Sequence, residues 1–128
     1  LYFIRTILFI FVTTALLSFS TSIDEVVSAI KVGDANRISR YFDNMVEISL
    51  DDKRHAYSKS QAEMIIRDFF SNKGVKSFKV IHRGNSNDSE YCVGNLATES
   101  GNFRTTVFMK VKGDRKVIKE LIFEEDSK

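Results

Sequence analysis

The chain has 128 residues, room for one ordinary domain. Nineteen Lys and Arg against 17 Asp and Glu leave a net charge of +2, which gives no concentrated basic face for phosphate and no reason to expect nucleic acid. Apolar residues make up 43%, with eleven Phe, four Tyr and no Pro, which excludes a disordered chain. The single cysteine, Cys92, excludes an internal disulfide and a cysteine-rich metal site.

The first element is the opening LYFIRTILFIFVTTALLSFSTS. Arg5 precedes an uncharged run from Ile7 to Leu17, and small residues follow at Ser18, Ser20 and Ser22. A basic start, an apolar run of about 7–15 residues and small residues before the cut are the marks of a secretory signal peptide. A spanning helix needs about 20 apolar residues and is usually anchored at both flanks. Here Arg5 interrupts the run and the downstream flank SFSTS is small and polar. The reading is a signal peptide over residues 1–22 and a single domain over 23–128, exported to the periplasm or beyond, with no stable membrane insertion after removal. No Cys lies near the cut, which disfavours a lipid-anchored product.

Ser22-Ile23-Asp24-Glu25 has the form of a capping box, so a helix is expected to start there. Ile23, Val26, Val27 and Ile30 form its apolar stripe. Gly33 stops it and Asp34 caps a second helix, in which Ile38, Tyr41, Phe42 and Met45 repeat the spacing. VEISL, residues 46–50, alternates as a strand does, and DDKRH reads as a charged turn. Ser58 with Gln61 caps a third helix whose stripe is Ala62, Ile65, Ile66, Phe69 and Phe70; Gly74 ends it. The period then changes to two. KSFKVIHRG, YCVGNLAT, FRTTVFMKVKG and KVIKELIFEE are strand candidates, separated by the turn stretches NSNDS, ESGN and GDRK. Helices segregated from consecutive strands point to an α+β domain, three N-terminal helices packed on a curved, mainly antiparallel sheet.

That order resembles the nuclear transport factor 2-like fold, the cystatin-like α+β cone. AIKVGDANRISRYFDNMVEISL is similar to the family's paired helix and strand, YSKSQAEMIIRDFFSNKGVKSF to its third helix, and VGNLATESGNFRTTVFMK to its central hairpin. Together they resemble domain-of-unknown-function family 4783, small exported proteins of Bacteroidetes, over residues 23–125. That family carries no assigned activity and no catalytic motif. The resemblance implies a pocket between helices and concave sheet face, and a sheet able to pair with a second copy as a homodimer. Some proteins of this fold are isomerases or dehydratases with an Asp or His in the pocket; many bind or dimerise without catalysis, so fold alone does not choose.

The chemistry-bearing residues are few. His82 in KVIHRG would share a face with Phe78 and Val80 on a regular strand, and could act as a general base there. Glu47 and Glu120 are carboxylates on apolar strands, explained more cheaply by an edge position or a bridge to Arg104 or Lys119. Tyr41, Phe42, Phe69, Phe70 and Tyr91, with His82, are the candidate ligand-pocket set, although their spacing also suits a plain core. Cys92 in EYCVGNL reads as a small buried apolar residue. His55 reads as exposed, and Asp51-Asp52 with His55 as an exposed turn, not a metal site. Asn87-Asp88-Ser89 matches the glycosylation triplet, a pattern common by chance. Lys110, Lys112, Arg115, Lys116 and Lys119 gather around one hairpin, either as a solvated tip or facing an acidic partner. No Gly-rich phosphate loop or nucleophile elbow is visible, and no metal or cofactor is expected. The expected function is non-catalytic binding of a small ligand or protein through the pocket or sheet face; the alternative is a pocket lyase or isomerase with His82 or a buried carboxylate as base.

Overall fold

The computed structural model describes residues 21–127. The leader reading therefore lies outside the described residues up to residue 20. Nine elements follow in order: α1 (Ser22–Lys31), α2 (Ala35–Ser39), β1 (Phe42–Leu50), β2 (Lys53–Ser58), α3 (Lys59–Lys73), β3 (Val75–Asn85), β4 (Ser89–Thr98), β5 (Gly101–Lys112) and β6 (Arg115–Glu125). The strands form one six-stranded sheet in the order β2-β1-β6-β5-β4-β3. Only β1 and β6 run parallel; the other pairs are antiparallel.

The α+β class and the mainly antiparallel sheet follow the sequence expectation, with three differences. The helices are not all N-terminal, because α3 comes after two strands. The second helix is only five residues long, and Tyr41, Phe42 and Met45 are not on it. Phe42 instead opens β1, where it pairs with Ile118 and is buried. DDKRH is not a single turn. Asp51 and Asp52 alone make the turn, both at positive φ (52° and 61°), as a two-residue hairpin demands and as Asp tolerates. Lys53 then starts β2, an edge strand whose burial pattern shows no apolar alternation. Tyr57 packs partly buried against the core, too little apolar surface to leave an alternating trace.

The caps explain the helix ends. Thr21, one residue before the expected Ser22, is the N-cap of α1 and accepts the Asp24 amide. Ser58 and Gln61 close a reciprocal capping box on α3. Gly74, at φ 72°, turns the chain out of α3 and donates its amide to the Phe70 carbonyl at 3.0 Å.

One face of the sheet carries all three helices. α1 rests on β3 and β4, α3 on β1 and β2, and α2 bridges α1 and α3. Between the layers the Phe69 ring lies 4.7 Å from Phe123 and 5.2 Å from Phe103, and Phe70 lies edge-on to Phe123 at 6.2 Å. Such aromatic contacts add to burial, and each ring removes a large apolar area from water. Cys92 packs in the same layer, and burial pushes its thiol up to about 11, which keeps it protonated. Truncating Phe123 to Ala is expected to destabilise the domain by about 3–5 kcal/mol, as for other fully buried Phe residues. Met64→Ala, at an exposed α3 position, is expected to stay within about 0.5 kcal/mol. Denaturant titration of both variants checks the contrast.

Candidate functional site

The six candidate pocket residues do not come together. Phe42, Phe69 and Phe70 are buried parts of the hydrophobic core, and Tyr41 packs against it with its hydroxyl donated to the Glu25 carboxylate. These four lie on the helix side. Tyr91 and His82 lie on the opposite face of the sheet, which no helix covers among the described residues.

A β-bulge accounts for His82. Val80 pairs with Gly94 but His82 pairs with Val93, so Ile81 is the extra residue and the side-chain alternation reverses beyond it. Phe78 and Val80 face the helices; His82 does not share their face and is exposed, contrary to the regular-strand expectation. Its Nε2 lies 2.9 Å from the Tyr91 hydroxyl. Gly84, directly opposite Tyr91, makes this geometry possible: a Cβ there would sit 2.3 Å from the Tyr91 ring. The same reversal sends Arg83 to the helix side, where its guanidinium donates to Asp24 of α1 at 2.6 Å. The Arg83 hydrogen bond lowers the Asp24 carboxyl pKa, and the Asp24 carboxylate raises that of Arg83.

The helix-free face is organised in cross-strand rows. One row runs Gly84, Tyr91, Phe108, Glu120, Glu47, Ala56. The next runs His82, Val93, Thr106, Ile122, Ser49, Arg54. Tyr91, Val93, Thr106, Phe108 and Ile122 are half-buried by their neighbours and form its apolar centre. At its edge Arg54 reaches across β1 to bridge Glu47 at 2.5 Å and Glu120 at 2.8 Å. The partner of both carboxylates is therefore Arg54, not Arg104 or Lys119. Arg54 and Glu47 are about half exposed, so water screens the pair and it orients more than it stabilises. Met45, Ala56 and Phe108, rimmed by Glu47, Glu120, Lys110 and Lys119, line a shallow groove of about 350 Å³.

Beside this groove Asp43 is a residue the sequence reading missed. It is 6% exposed and accepts from Lys112 and Lys119, each at 2.6 Å, and from the Asn44 amide. Two irregular stretches bring them together: β1 loses simple register with β6 between Phe42 and Glu47, and Lys119 is the odd residue of β6 opposite β5. The signal that could have found it is an Asp next to a strand-opening Phe, with unpaired lysines on another strand. The hydrogen bonds from Lys112 and Lys119 hold its carboxyl well below the usual carboxylate range.

Three helices on one side of a curved mixed sheet, with a polar-rimmed apolar face left open on the other, define a small α+β cone domain. The family model "Domain of unknown function (DUF4783)" matches residues 23–124, and the chain belongs to that family. A DUF4783 protein from Bacteroides uniformis is 30% identical, with a TM-score of 0.80, covering 82% of this chain and 97% of that one. A nuclear transport factor 2-like protein of unknown function from Silicibacter pomeroyi (10% identity, TM-score 0.57, 81% and 89% covered) shares the fold. So does a domain with a cystatin-like fold from Nostoc punctiforme (9% identity, TM-score 0.63, 81% and 72% covered). No curated protein matches the sequence.

Asp43 generates a pH prediction. A carboxyl whose pKa is lowered by folding stabilises the native state above its unfolded value, and that contribution disappears as pH falls from there. Asp43→Asn is expected to lower the melting temperature by several degrees at neutral pH. The gap from the native chain should close progressively as pH falls below 3.8, the ordinary value for aspartate. Thermal melts at stepped pH check this; a gap independent of pH would show that Asp43 acts through packing and not through its charge.

Proposed function

We propose that this is an exported, non-catalytic binding module that works by pairing its helix-free sheet face with a second copy of the same chain. The observation that carries the reading is the row Val93, Thr106, Ile122, flanked by Tyr91 and Phe108, which no element covers among the described residues. The helix side offers less, because Phe42, Phe69, Phe70, Phe103 and Phe123 occupy the space between helices and sheet.

Size and charge favour a second copy. Five strands about 4.8 Å apart, each about ten residues at about 3.3 Å, present a face of about 800 Å². That is about what one partner contributes to a standard stable interface. The face carries both signs side by side, Glu47 and Glu120 next to Lys110 and Lys119. A twofold axis that passes between the acidic and the basic residues sets the acids of one copy against the bases of the other, which is the register proposed. A lyase or isomerase using His82 as base gains nothing from this geometry, since His82 stands exposed on an open sheet and not in an enclosed site.

Native mass spectrometry of the exported protein tests the reading. The native chain is expected to run as a dimer at micromolar concentration. Val93→Glu combined with Ile122→Glu is expected to give a folded monomer whose melting temperature falls and loses its dependence on protein concentration, because both side chains face away from the core. A bare monomer from the native chain would sink the pairing. A reproducible extra mass on each chain would replace it with a bound small ligand.

A further inference from the structure

We infer that pairing through the open face is proton-sensitive and that His82 is its sensor: two copies hold together while the imidazole is neutral and separate as it gains a proton. The inference rests on the pairing reading above and names its regulation.

The chain has two histidines, and they stand on opposite sides of the sheet. His55 pairs with Ile48, which is buried on the helix side, and its ring lies 6.1 Å from Tyr57. It is therefore turned away from the pairing face. His82 is turned onto that face by the Ile81 bulge and ends the row Val93, Thr106, Ile122 at the β3 edge. In the single chain it is exposed. Stacked sheets lie about 10 Å apart, so the side chains that stand off both faces fill the gap. A second sheet seated on Val93 and Ile122 takes water away from the His82 ring as well. Burial disfavours a charged form, and histidine is the side chain whose charge changes between about pH 5 and pH 8.

The Tyr91 contact at 2.9 Å leaves the charge alone to act. A phenol hydroxyl donates to a neutral ring nitrogen and accepts from a protonated one, so the bond is available in both states.

The groups around the ring offer the added charge no free carboxylate among the described residues. On β3, Lys79 stands on the open face, alternating with Phe78 and Val80, and Arg83 turns to the helix side, where α1 meets it with Asp24. On β4, Glu90 alternates with Tyr91 and is engaged by Lys116 at 2.6 Å. β5 adds Arg104 one row away, opposite Asn95. At the far end of the His82 row stand Ser49 and Arg54, and Arg54 already holds Glu47 and Glu120. A twofold axis along the strands lays β3 over β2 of the second copy and turns His82 toward Arg54. An axis across the strands lays β3 over β3 and turns His82 toward its own copy and Lys79. Either arrangement repels a protonated imidazole.

Sedimentation equilibrium of the exported protein from about pH 7.5 to about pH 5.5 tests this, a window in which Asp and Glu side chains stay charged and histidine titrates. The native dimer is expected to weaken about tenfold across it. His82→Gln, neutral throughout, is expected to keep nearly one dimer strength, and His82→Lys, charged throughout, to be weak at both ends. His55→Gln is expected to weaken as the native chain does. Circular dichroism of each variant at both ends of the window keeps a loss of folding from passing as a loss of pairing. A native dimer indifferent to pH overturns the inference and leaves the pairing intact. So does a response that persists in His82→Gln, or one that disappears in His55→Gln. Monomers at every pH overturn the pairing reading, and this inference with it.

Discussion

The packing of α3 onto Phe103 and Phe123 sets the terms for the rest of the molecule. α3 is the longest of the described helices and contacts the β1–β2 end of the sheet, while the shorter α1 rests on β3 and β4. Phe69 sits against both Phe103 and Phe123, so a single side chain ties the helix to two neighbouring central strands. A sheet filled in this way from one side has its interior space consumed by protein atoms. In a domain this small, one core has to supply nearly all the stability. The aromatic set that fills the cone is thereby committed to the core, which is why the proposed pairing uses the other face.

The sheet irregularities decide which polar groups serve which face. The bulge at Ile81 turns His82 outward and Arg83 inward within two residues. The irregular stretch of β1 and the extra residue at Lys119 do the same at the far end, where they gather Asp43 between Lys112 and Lys119. Each device converts a residue from regular alternation into one half of an ion pair. The two pairs differ in weight. Asp43 is nearly buried between its lysines, whereas Arg83 and Asp24 are close to half exposed and more strongly screened.

Legibility in the sequence followed the strength of the hydrophobic signal. α3 and its caps were readable because Ala62, Ile66, Phe69 and Phe70 repeat at helical spacing between Ser58 and Gly74. β4, β5 and β6 were readable because their buried residues alternate between turn stretches. β2 was not, because an edge strand reading KRHAYS has no buried stripe to show. The Tyr41–Met45 segment matched a helical period by coincidence of Ile38 with Tyr41 and Phe42, and tertiary pairing of Phe42 with Ile118 overrode it. The placement of His82 failed for a different reason. Val80 and Ile81 are both β-branched and apolar, so nothing in their identity marks the extra residue between two faces. Arg54 and Asp43 were hidden behind these same errors, since each finds its partners only after strand pairing and register are known.

The open face then has to reconcile two demands. An uncovered apolar row on a sheet invites indiscriminate association, and charge on the same face restrains it. Here the restraint is arranged unevenly. The centre, from Val93 to Ile122 and Phe108, is apolar, while Arg54, Glu47, Glu120, Lys110 and Lys119 lie toward the β2–β1 side. On the proposed pairing, a partner lacking matching charges would have to desolvate these groups without return. A partner presenting the same mixed set in twofold register meets no such penalty. On the proposed pairing, the charged side of the face is the filter and the apolar centre the adhesive. The division is possible because Arg54 comes from β2, the edge strand, and reaches across β1 to both carboxylates.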